Sequence, residues 1–201
     1  MSKKNSPWTS MALLALLAVA PLAGSGAVGT TAPDFTLTAA DGSEHTLADS
    51  AGKTVVLEWI NPNCPYSLRH TREQTMINLA AQYGDVVWLA VNSTASDHGD
   101  YLQPSEHLSF NQENGIEYPV LYDPSGDVGH AYNAKTTPHM YVIDAGRTIL
   151  YNGAIDDDPR GQLSTEERDN YVDSALTTLA SEGSVDPATT RPYGCSVKYG
   201  V

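Results

Sequence analysis

VVLEWINPNCPYS, residues 55–67, runs from an apolar segment through a turn rich in Pro and Asn to Cys64. The apolar residues before the turn predict a buried strand, and the pattern after it predicts a helix from Ser67. Pro65 suits the start of that helix, because an N–H at this position would have no partner in any case. The sequence therefore predicts a cysteine at a helix N-terminus, where free N–H groups and the helix dipole favour thiolate, the nucleophilic form.

The segments on either side of this turn alternate between strand and helix patterns. Ser164 and Glu167 have the spacing of a capping box, which predicts that the last helix begins there. We expect these elements in order: strands 32–37, 45–47 and 54–60, a helix 67–83, a strand 86–91, a helix 105–114, a strand 120–122, a helix 127–132, a hairpin 140–152 and a helix 164–182. This order predicts an α/β fold of three layers, with a mixed central sheet and helices on both faces.

The N-terminal segment has the features of a secretory signal. Lys3 and Lys4 precede an apolar block at 11–20, which is followed by small residues ending at Ala27. The block is too short for a comfortable transmembrane helix, so we predict a signal peptide 1–27 and an exported, periplasmic or extracellular protein with no stable membrane insertion after cleavage. An uncleaved N-terminal anchor is the alternative. The mature chain would comprise one domain, 28–183, and an irregular tail, 184–201, that carries Cys195.

Charge and cysteine content narrow the class of partner. The formal net charge is −13 and no basic stripe offsets it, so the surface disfavours nucleic acid and anionic membranes. The chain has two cysteines, Cys64 and Cys195. In an oxidising compartment a disulfide between them could persist.

Several motifs, taken in order, point to a known family. They are the strand-to-Cys64 turn, APDF at 32–35, YDPS at 122–125, Thr137-Pro138 before the strand at 141–144, and Asp156-Asp157 after the hairpin. Together they resemble the thioredoxin-fold redoxins, in the peroxiredoxin-like (alkyl hydroperoxide reductase/thiol-specific antioxidant) branch, over about residues 30–180. The resemblance implies a thioredoxin-like fold in which a cis Pro138 faces Cys64 and Thr137 lies beside the sulfur, where it can pair with an extended thiol substrate. Without the resemblance, an ordinary trans proline at a strand entrance is an equal alternative.

Cys64-Pro65-Tyr66-Ser67 is similar to a thioredoxin Cys-x-x-Cys motif in which serine replaces the second cysteine. Ser67 can donate a hydrogen bond to the thiolate, but it cannot resolve a mixed disulfide. Cys195 is the other cysteine in the chain and so the internal candidate for that step. The alternative is a permanent disulfide that fixes the tail to the domain and has a structural role alone.

Peroxiredoxins set their reactive cysteine in Pro-x-x-x-Thr/Ser-x-x-Cys, and this chain departs from that motif. Leu57 and Asn61 occupy the two slots, although Asn61 can still donate a hydrogen bond. We therefore rank thiol–disulfide exchange first and thiol peroxidase second, with Cys64 forming a sulfenic acid that condenses with Cys195. A non-catalytic binding module with a structural disulfide is the alternative from another class.

The predicted partners follow from this chemistry. We expect a thiol or disulfide protein, or a peroxide, together with an external thiol reductant and no cofactor. No metal is expected, because the copper chaperones of this fold carry Cys-x-x-x-Cys and Leu68 fills the second position here.

Four weaker features remain open. His139 is interpreted as an imidazolium beside the sulfur or as a partly exposed residue, and His70 as a surface residue. Glu58 is interpreted as a proton shuttle or as a solvent-facing residue. The acids at 156–158 are interpreted as a solvated turn in preference to a calcium site.

Overall fold

The computed structural model describes residues 25–200. The predicted signal peptide therefore lies outside the described residues, apart from positions 25–27. Within residues 25–200, no helix combines the length and apolar character needed to cross a membrane.

Seven strands form one mixed sheet in the order β2-β1-β5-β4-β3-β7-β8. The central pairs β3–β4 and β4–β5 are parallel, and the outer pairs are antiparallel. A separate two-stranded sheet joins β6 to β9. The strands are β1 Thr36–Ala39, β2 Glu44–Thr46, β3 Val55–Trp59, β4 Val87–Asn92, β5 Val120–Tyr122, β6 Thr136–Thr137, β7 His139–Ile143, β8 Ile149–Gly153 and β9 Cys195–Ser196.

The helices cover both faces of the sheet, as predicted. On one face, α4 packs through Tyr132 against the core that contains Trp59. On the other, α2 and α5 pack against the core around Met140. The α-helices are α1 Pro65–Arg72, α2 Thr75–Gln82, α3 Pro104–Asn114, α4 Asp127–Tyr132 and α5 Tyr171–Glu182, and a short 3-10 helix spans Leu47–Ser50.

The strand that leads to Cys64 is buried on both faces. Alternation along β3 directs Val55, Leu57 and Trp59 into one core and Val56 into the other. The Trp59 ring lies 5.2 Å from the ring of Tyr132 on α4 and 5.2 Å from that of Tyr141 on β7. Aromatic pairs of this kind contribute roughly 0.5–1.5 kcal/mol beyond area burial, so the end of β3 is held firmly where the turn begins.

The predicted helix 67–83 is wrong in one respect: it is two helices. The first begins at Pro65 and ends at Arg72, and Gln74 takes a left-handed conformation with φ of 54° before α2. Side chains on either side of the break make tertiary contacts instead. Glu73 binds Arg168 at 2.6 Å, and Thr75 contacts His70 Nδ1 at 3.2 Å.

The predicted start of the last helix at Ser164 is also wrong. Ser164 N–H donates to the Glu167 carboxylate at 3.1 Å, but this is a single turn. Residues 168–170 are then drawn toward the loop after β8, where Asp169 N–H donates to Asp157 at 3.0 Å. The last helix, α5, begins at Tyr171, with Asn170 Oδ1 accepting the N–H groups of residues 172 and 173 at 3.0 Å each.

Asn170 should therefore cap α5, whereas Ser164 should not. Asn170→Ala leaves two N–H groups without this acceptor and should lower the free energy of unfolding by about 1 kcal/mol. Ser164→Ala serves as the matched control and should stay within about 0.5 kcal/mol of wild type. Urea unfolding followed by circular dichroism measures both, and a larger loss at Ser164 would contradict this boundary.

Candidate active site

Cys64 lies where β3 turns into α1, and Asn61 shapes that turn. Asn61 Oδ1 accepts the Asn63 N–H at 2.7 Å, and its carbonyl accepts the Cys64 N–H at 3.0 Å. Its amide donates to Thr94 Oγ1 at 3.1 Å. Asn61 therefore fixes the turn, and its amide is engaged by Thr94. Cys64 is the N-cap residue of α1 and Pro65 occupies its first position, as predicted.

The Thr137–Pro138 bond is cis, as predicted, and it lies against Cys64. The Cys64 thiol donates to the Thr137 carbonyl oxygen at 2.9 Å. Thr137 belongs to β6, which pairs antiparallel with β9 so that Thr137 stands opposite Cys195. The structure thus brings Cys64 and Cys195 to the same backbone segment.

The tail, predicted to be irregular, forms the short strand β9 over Cys64. Gly194 crosses the Thr137 carbonyl with φ of 134°, and a Cβ here would overlap that oxygen. After the cysteine, the Val197 N–H donates to the Lys135 carbonyl at 3.1 Å. Both cysteines are free thiols, and Cys64 is only 2% exposed because of this cover.

The two thiols are electrostatically unequal. Burial acts to raise the pKa of Cys64, but a hydrogen bond from the Cys195 side chain opposes it. The Thr137 side chain and the N–H groups of Ser67 and Cys195 add to that opposition, so the pKa of Cys64 lies below that of an ordinary thiol. Burial, followed by the neighbouring Cys64, raises the pKa of Cys195 to about 11. Cys64 therefore ionises first and Cys195 keeps its proton.

Comparison with known proteins identifies the family of this chain. Residues 28–152 match the AhpC/TSA family. The chain belongs to that family. The fold is thioredoxin-like, and the protein is a redoxin-type enzyme, either a thiol-disulfide oxidoreductase or a thiol-dependent peroxidase.

Individual relatives of this AhpC/TSA protein cover most of its length. Thiol-disulfide oxidoreductase ResA of Geobacillus kaustophilus is 30% identical over 148 residues, which are 74% of this chain and 78% of that protein. The crystal structure of an uncharacterized conserved protein from the same species aligns with a TM-score of 0.76 at 30% identity, over 87% of this chain and 93% of that chain. The thioredoxin domain of thiol-disulfide oxidoreductase BVU-2223 from Bacteroides vulgatus aligns with a TM-score of 0.50 at 19% identity, over 70% and 91% of the two chains, and shows the shared fold.

Two hydroxyl groups of the AhpC/TSA site are buried without a partner. While Cys64 is a thiol, Ser67 Oγ and Thr137 Oγ1 have no hydrogen-bond partner within residues 25–200, although Ser67 is 1% exposed and Thr137 is 4% exposed. Burying an unpaired polar group costs roughly 1–3 kcal/mol. In the thiol form the sulfur donates a hydrogen bond to the Thr137 carbonyl, whereas a thiolate can only accept hydrogen bonds. Ionisation of Cys64 would therefore offer the Thr137 hydroxyl an acceptor.

Glu58 on β3 is buried, which rules out the solvent-facing interpretation. It is 5% exposed, and Tyr118 Oη donates to its carboxylate at 3.3 Å. Burial raises the pKa of Glu58 to about 7. A carboxyl group with this pKa can take up and release a proton near neutral pH.

The two histidines weighed from the sequence are buried and neutral, so both interpretations of His139 and that of His70 are wrong. Burial lowers the pKa of His139 to about 4 and that of His70 to about 3. His139 Nδ1 accepts the Lys135 N–H, and Nε2 faces Asn152 Oδ1 at 2.8 Å. His139 therefore supplies no imidazolium to the thiolate.

The acids at 156–158 are not a solvated turn, because Asp156 is 1% and Asp158 is 5% exposed. Asp156 binds Arg168 Nη1 at 3.1 Å and lies 3.7 Å from Arg69 Nη2. Tyr193 Oη also donates to Asp156. The carboxylates are thus neutralised by arginines, and within residues 25–200 no group of three or more His, Cys, Asp or Glu is placed to hold a metal ion.

Sequence reasoning missed Tyr193, Arg69 and Asp156 as neighbours of the site. Arg69 is on α1, Asp156 follows β8, and Tyr193 is two residues before Cys195. They meet only through tertiary structure. The adjacent acids Asp156 and Asp157 belong to the family resemblance, but nothing in the local pattern indicates their partners.

The pKa of Cys64 should depend on Cys195. Iodoacetamide alkylation of Cys64, followed by peptide mass spectrometry, should be half-maximal at a pH below that of a free thiol. Cys195→Ala removes the hydrogen-bond donor and should move this midpoint upward. Because the midpoint is read from the pH dependence, a change in access alone does not shift it. An unchanged midpoint would show that Cys195 does not stabilise the thiolate.

The stability of the protein should reflect the buried Glu58 carboxyl. In the unfolded chain it ionises near pH 4.5, whereas in the folded protein it stays protonated to about pH 7. The folded state holds the extra proton between these values, so wild-type stability falls as pH rises through this window. Glu58→Gln should therefore match wild type below the window and exceed it by about 3 kcal/mol above it. Urea unfolding across pH measures this, with the exposed Glu117→Gln as control, and a constant difference would contradict it.

Proposed function

We propose that the protein is an exported thiol–disulfide oxidoreductase in which the Cys64 thiolate is the nucleophile. The observation that carries this proposal is the Cys64 sulfur, which has a lowered pKa and donates to the carbonyl of Thr137, the residue that stands opposite Cys195 on β9. The name of the Geobacillus relative, a thiol-disulfide oxidoreductase, supports the same activity. The N-terminal basic and apolar pattern at 3–20 supports export.

The proposed cycle has three exchange steps. Cys64 thiolate attacks one sulfur of a partner disulfide, which forms a mixed disulfide and releases the other partner sulfur as thiolate. Cys195, after losing its proton, attacks Cys64 Sγ, forms the Cys64–Cys195 disulfide and releases the second partner thiolate. An external dithiol then reduces this disulfide and becomes oxidised itself. Every step is reversible, so the direction follows the potentials of the two partners.

The arrangement keeps the Cys195 thiol protonated in the resting protein. It also favours deprotonation of Cys195 at the step in which this residue attacks the mixed disulfide. A neighbouring Cys64 sulfur contributes to the raised pKa of Cys195. Once Cys64 is part of a mixed disulfide it carries no charge and can no longer accept the Cys195 proton. The pKa of Cys195 should then fall, and Cys195 becomes the attacking thiolate at the stage that requires it.

The other predicted site residues act on the Cys64 sulfur or on the backbone segments that surround it. Ser67 donates its N–H to the sulfur, and Thr137 offers its carbonyl and hydroxyl. Pro138 ends the segment that faces Cys64, and Asn61 fixes the turn. The partner is a thiol or disulfide protein, and no cofactor enters the cycle.

A thiol peroxidase is the second proposal, favoured by the position of Cys195 opposite Thr137, to which Cys64 is hydrogen-bonded. Peroxide would convert Cys64 thiolate to a sulfenic acid with release of an alcohol or water, and Cys195 would condense with it, releasing water. Leu57 and Asn61 depart from the peroxiredoxin motif, however, and Arg69 on α1 is engaged by Asp156 and Asp158. The non-catalytic alternative requires a buried Cys64 with an ordinary or raised pKa. Cys64 is buried, but its pKa is lowered, and this direction favours the catalytic proposals.

The test is insulin reduction by dithiothreitol in the presence of the protein. Wild type should accelerate it, and Cys64→Ser should lose essentially all of the acceleration because the nucleophile is gone. Cys195→Ser should accumulate a mixed disulfide on Cys64, which intact mass spectrometry detects, because the resolving thiol is absent.

A peroxide arm separates the two activities. Stopped-flow mixing of reduced protein with hydrogen peroxide should oxidise Cys64 no faster than a free thiol. Rapid peroxide consumption without insulin reduction would replace the first proposal by the second. No effect of Cys64→Ser on either reaction would overturn both.

A further inference from the structure

The strand that carries Cys195 occupies an edge that a partner chain would need. β9 pairs antiparallel with Thr136–Thr137, the segment that precedes Pro138. An extended peptide that adds to this segment would use the same backbone groups. The protein's own tail and an incoming partner therefore compete for one edge, and whatever fixes the tail decides between them.

Tyr193 links the tail to the helix that carries Cys64. Its Oη donates to the buried Asp156 and accepts from Arg69 Nη2 at 2.9 Å. His70 Nε2 lies 3.0 Å from the same oxygen. Because Arg69 and His70 are on α1, this hydroxyl joins the tail, the loop after β8 and the active helix at one point.

The ring of Tyr193 reinforces this contact. It packs on Tyr66, whose ring centroid lies 6.0 Å away, and the Arg69 guanidinium carbon lies 5.8 Å from its centroid. Next to the ring, a cavity of about 600 Å³ extends from Asp157 to Thr136 beneath the tail. Upstream, the tail is bonded at Thr190, whose N–H donates to the Asn152 carbonyl at 3.2 Å and whose Oγ1 accepts the Ala154 N–H at 2.9 Å. Between Thr190 and Cys195, the side-chain hydrogen bonds that the structure shows are those of the Tyr193 hydroxyl.

The part of the tail after Cys195 is anchored separately. Val197 is buried in the core, and Tyr199 Oη donates to the Ala134 carbonyl at 2.8 Å while its ring stacks on His130. The Ala95 N–H donates to the Lys198 carbonyl at 2.8 Å. Loss of the Tyr193 hydrogen bond would thus loosen the segment leading into β9 without releasing the chain end.

We propose that Tyr193 is a positioning residue whose bond to Asp156 holds the Cys195 strand on the Thr136–Thr137 edge, and whose release opens that edge to an extended, cysteine-containing peptide of the partner. This inference rests on the proposed function of Cys64. In this role Tyr193 favours the internal Cys64–Cys195 disulfide and disfavours the mixed disulfide between Cys64 and a partner. A merely structural tyrosine would not move these two reactions in opposite directions.

The first measurement follows attack of Cys64 on two disulfides in the Cys195→Ser background. One probe is a synthetic peptide of residues 191–199 whose cysteine carries a thionitrobenzoate disulfide. The other is dithiobis(nitrobenzoate), a small disulfide that needs no peptide edge. In each case Cys64 thiolate forms a new S–S bond and displaces coloured thionitrobenzoate. Adding Tyr193→Phe should raise the ratio of the peptide rate to the small-disulfide rate about tenfold.

The second measurement uses both cysteines. Tyr193→Phe should lower the equilibrium constant for forming the Cys64–Cys195 disulfide from oxidised glutathione about tenfold, because Cys195 is less well positioned. Asp156 keeps Arg168, so the variant leaves no unpaired buried carboxylate. Tyr83→Phe is the matched control, since Tyr83 Oη donates to Asp173 at 2.6 Å between α2 and α5, away from the tail. It should change neither quantity.

Each outcome decides the inference. A higher rate ratio together with a lower equilibrium constant supports it. Unchanged values overturn it. A fall in both the rate ratio and the equilibrium constant also overturns it, because that result indicates a general loosening of the structure. If Cys64 reacts with neither disulfide even without Cys195, the proposed function itself fails, and the small-disulfide arm makes that failure distinct.

Discussion

The hydrogen bond from the Cys64 thiol to the Thr137 carbonyl joins two parts of the chain that are 73 residues apart. One part is the turn that ends β3, held in place by the packing of Trp59 between two tyrosines. The other is the segment before β7, which lies next to β3 in the sheet. Because neighbouring antiparallel strands bring these ends together, the sheet register places the sulfur against the carbonyl. The same carbonyl then sets the path of the tail, since only a residue without a Cβ can cross it at Gly194.

The contacts that fix the tail at Tyr193 are polar and partly buried. Asp156 lies almost out of solvent and is matched by Arg168, Arg69 and the Tyr193 hydroxyl. Buried ion pairs are a weak source of stability, because desolvation offsets much of the attraction. They are, however, demanding in geometry. A cluster of this kind therefore selects one docked position of the tail more than it strengthens the fold, and this is the property that a positioned thiol requires.

The α/β class could be predicted from the sequence. So could the order of the strands along the chain and the placement of Cys64 at a helix N-terminus, because these follow from local periodicity and from Pro65. Family resemblance led to Thr137-Pro138 as neighbours of the thiol. Cys195 was the internal candidate to resolve a mixed disulfide because it is the other cysteine in the chain, but no local pattern shows that the tail reaches Cys64. Prediction from the sequence failed where distant charges override local patterns: Arg168 and Asp169 are drawn toward the loop after β8, so the helix predicted from Ser164 starts at Tyr171. The predicted exposure of His70 and of Asp156 is wrong for the same reason, because residues distant in the sequence bury each of them.

The near-complete cover of Cys64 has a consequence for the resistance of its sulfur to oxidation. An ionised sulfur that stood open would be consumed by adventitious oxidants between encounters, and overoxidised forms of cysteine are not readily recovered. With β9 lying over it, the sulfur is shielded whenever no client is engaged. Because β9 itself carries a thiol, Cys195, an oxidation that does reach the two cysteines would end in a Cys64–Cys195 disulfide. This bond can be reduced again, so the enzyme would escape permanent damage.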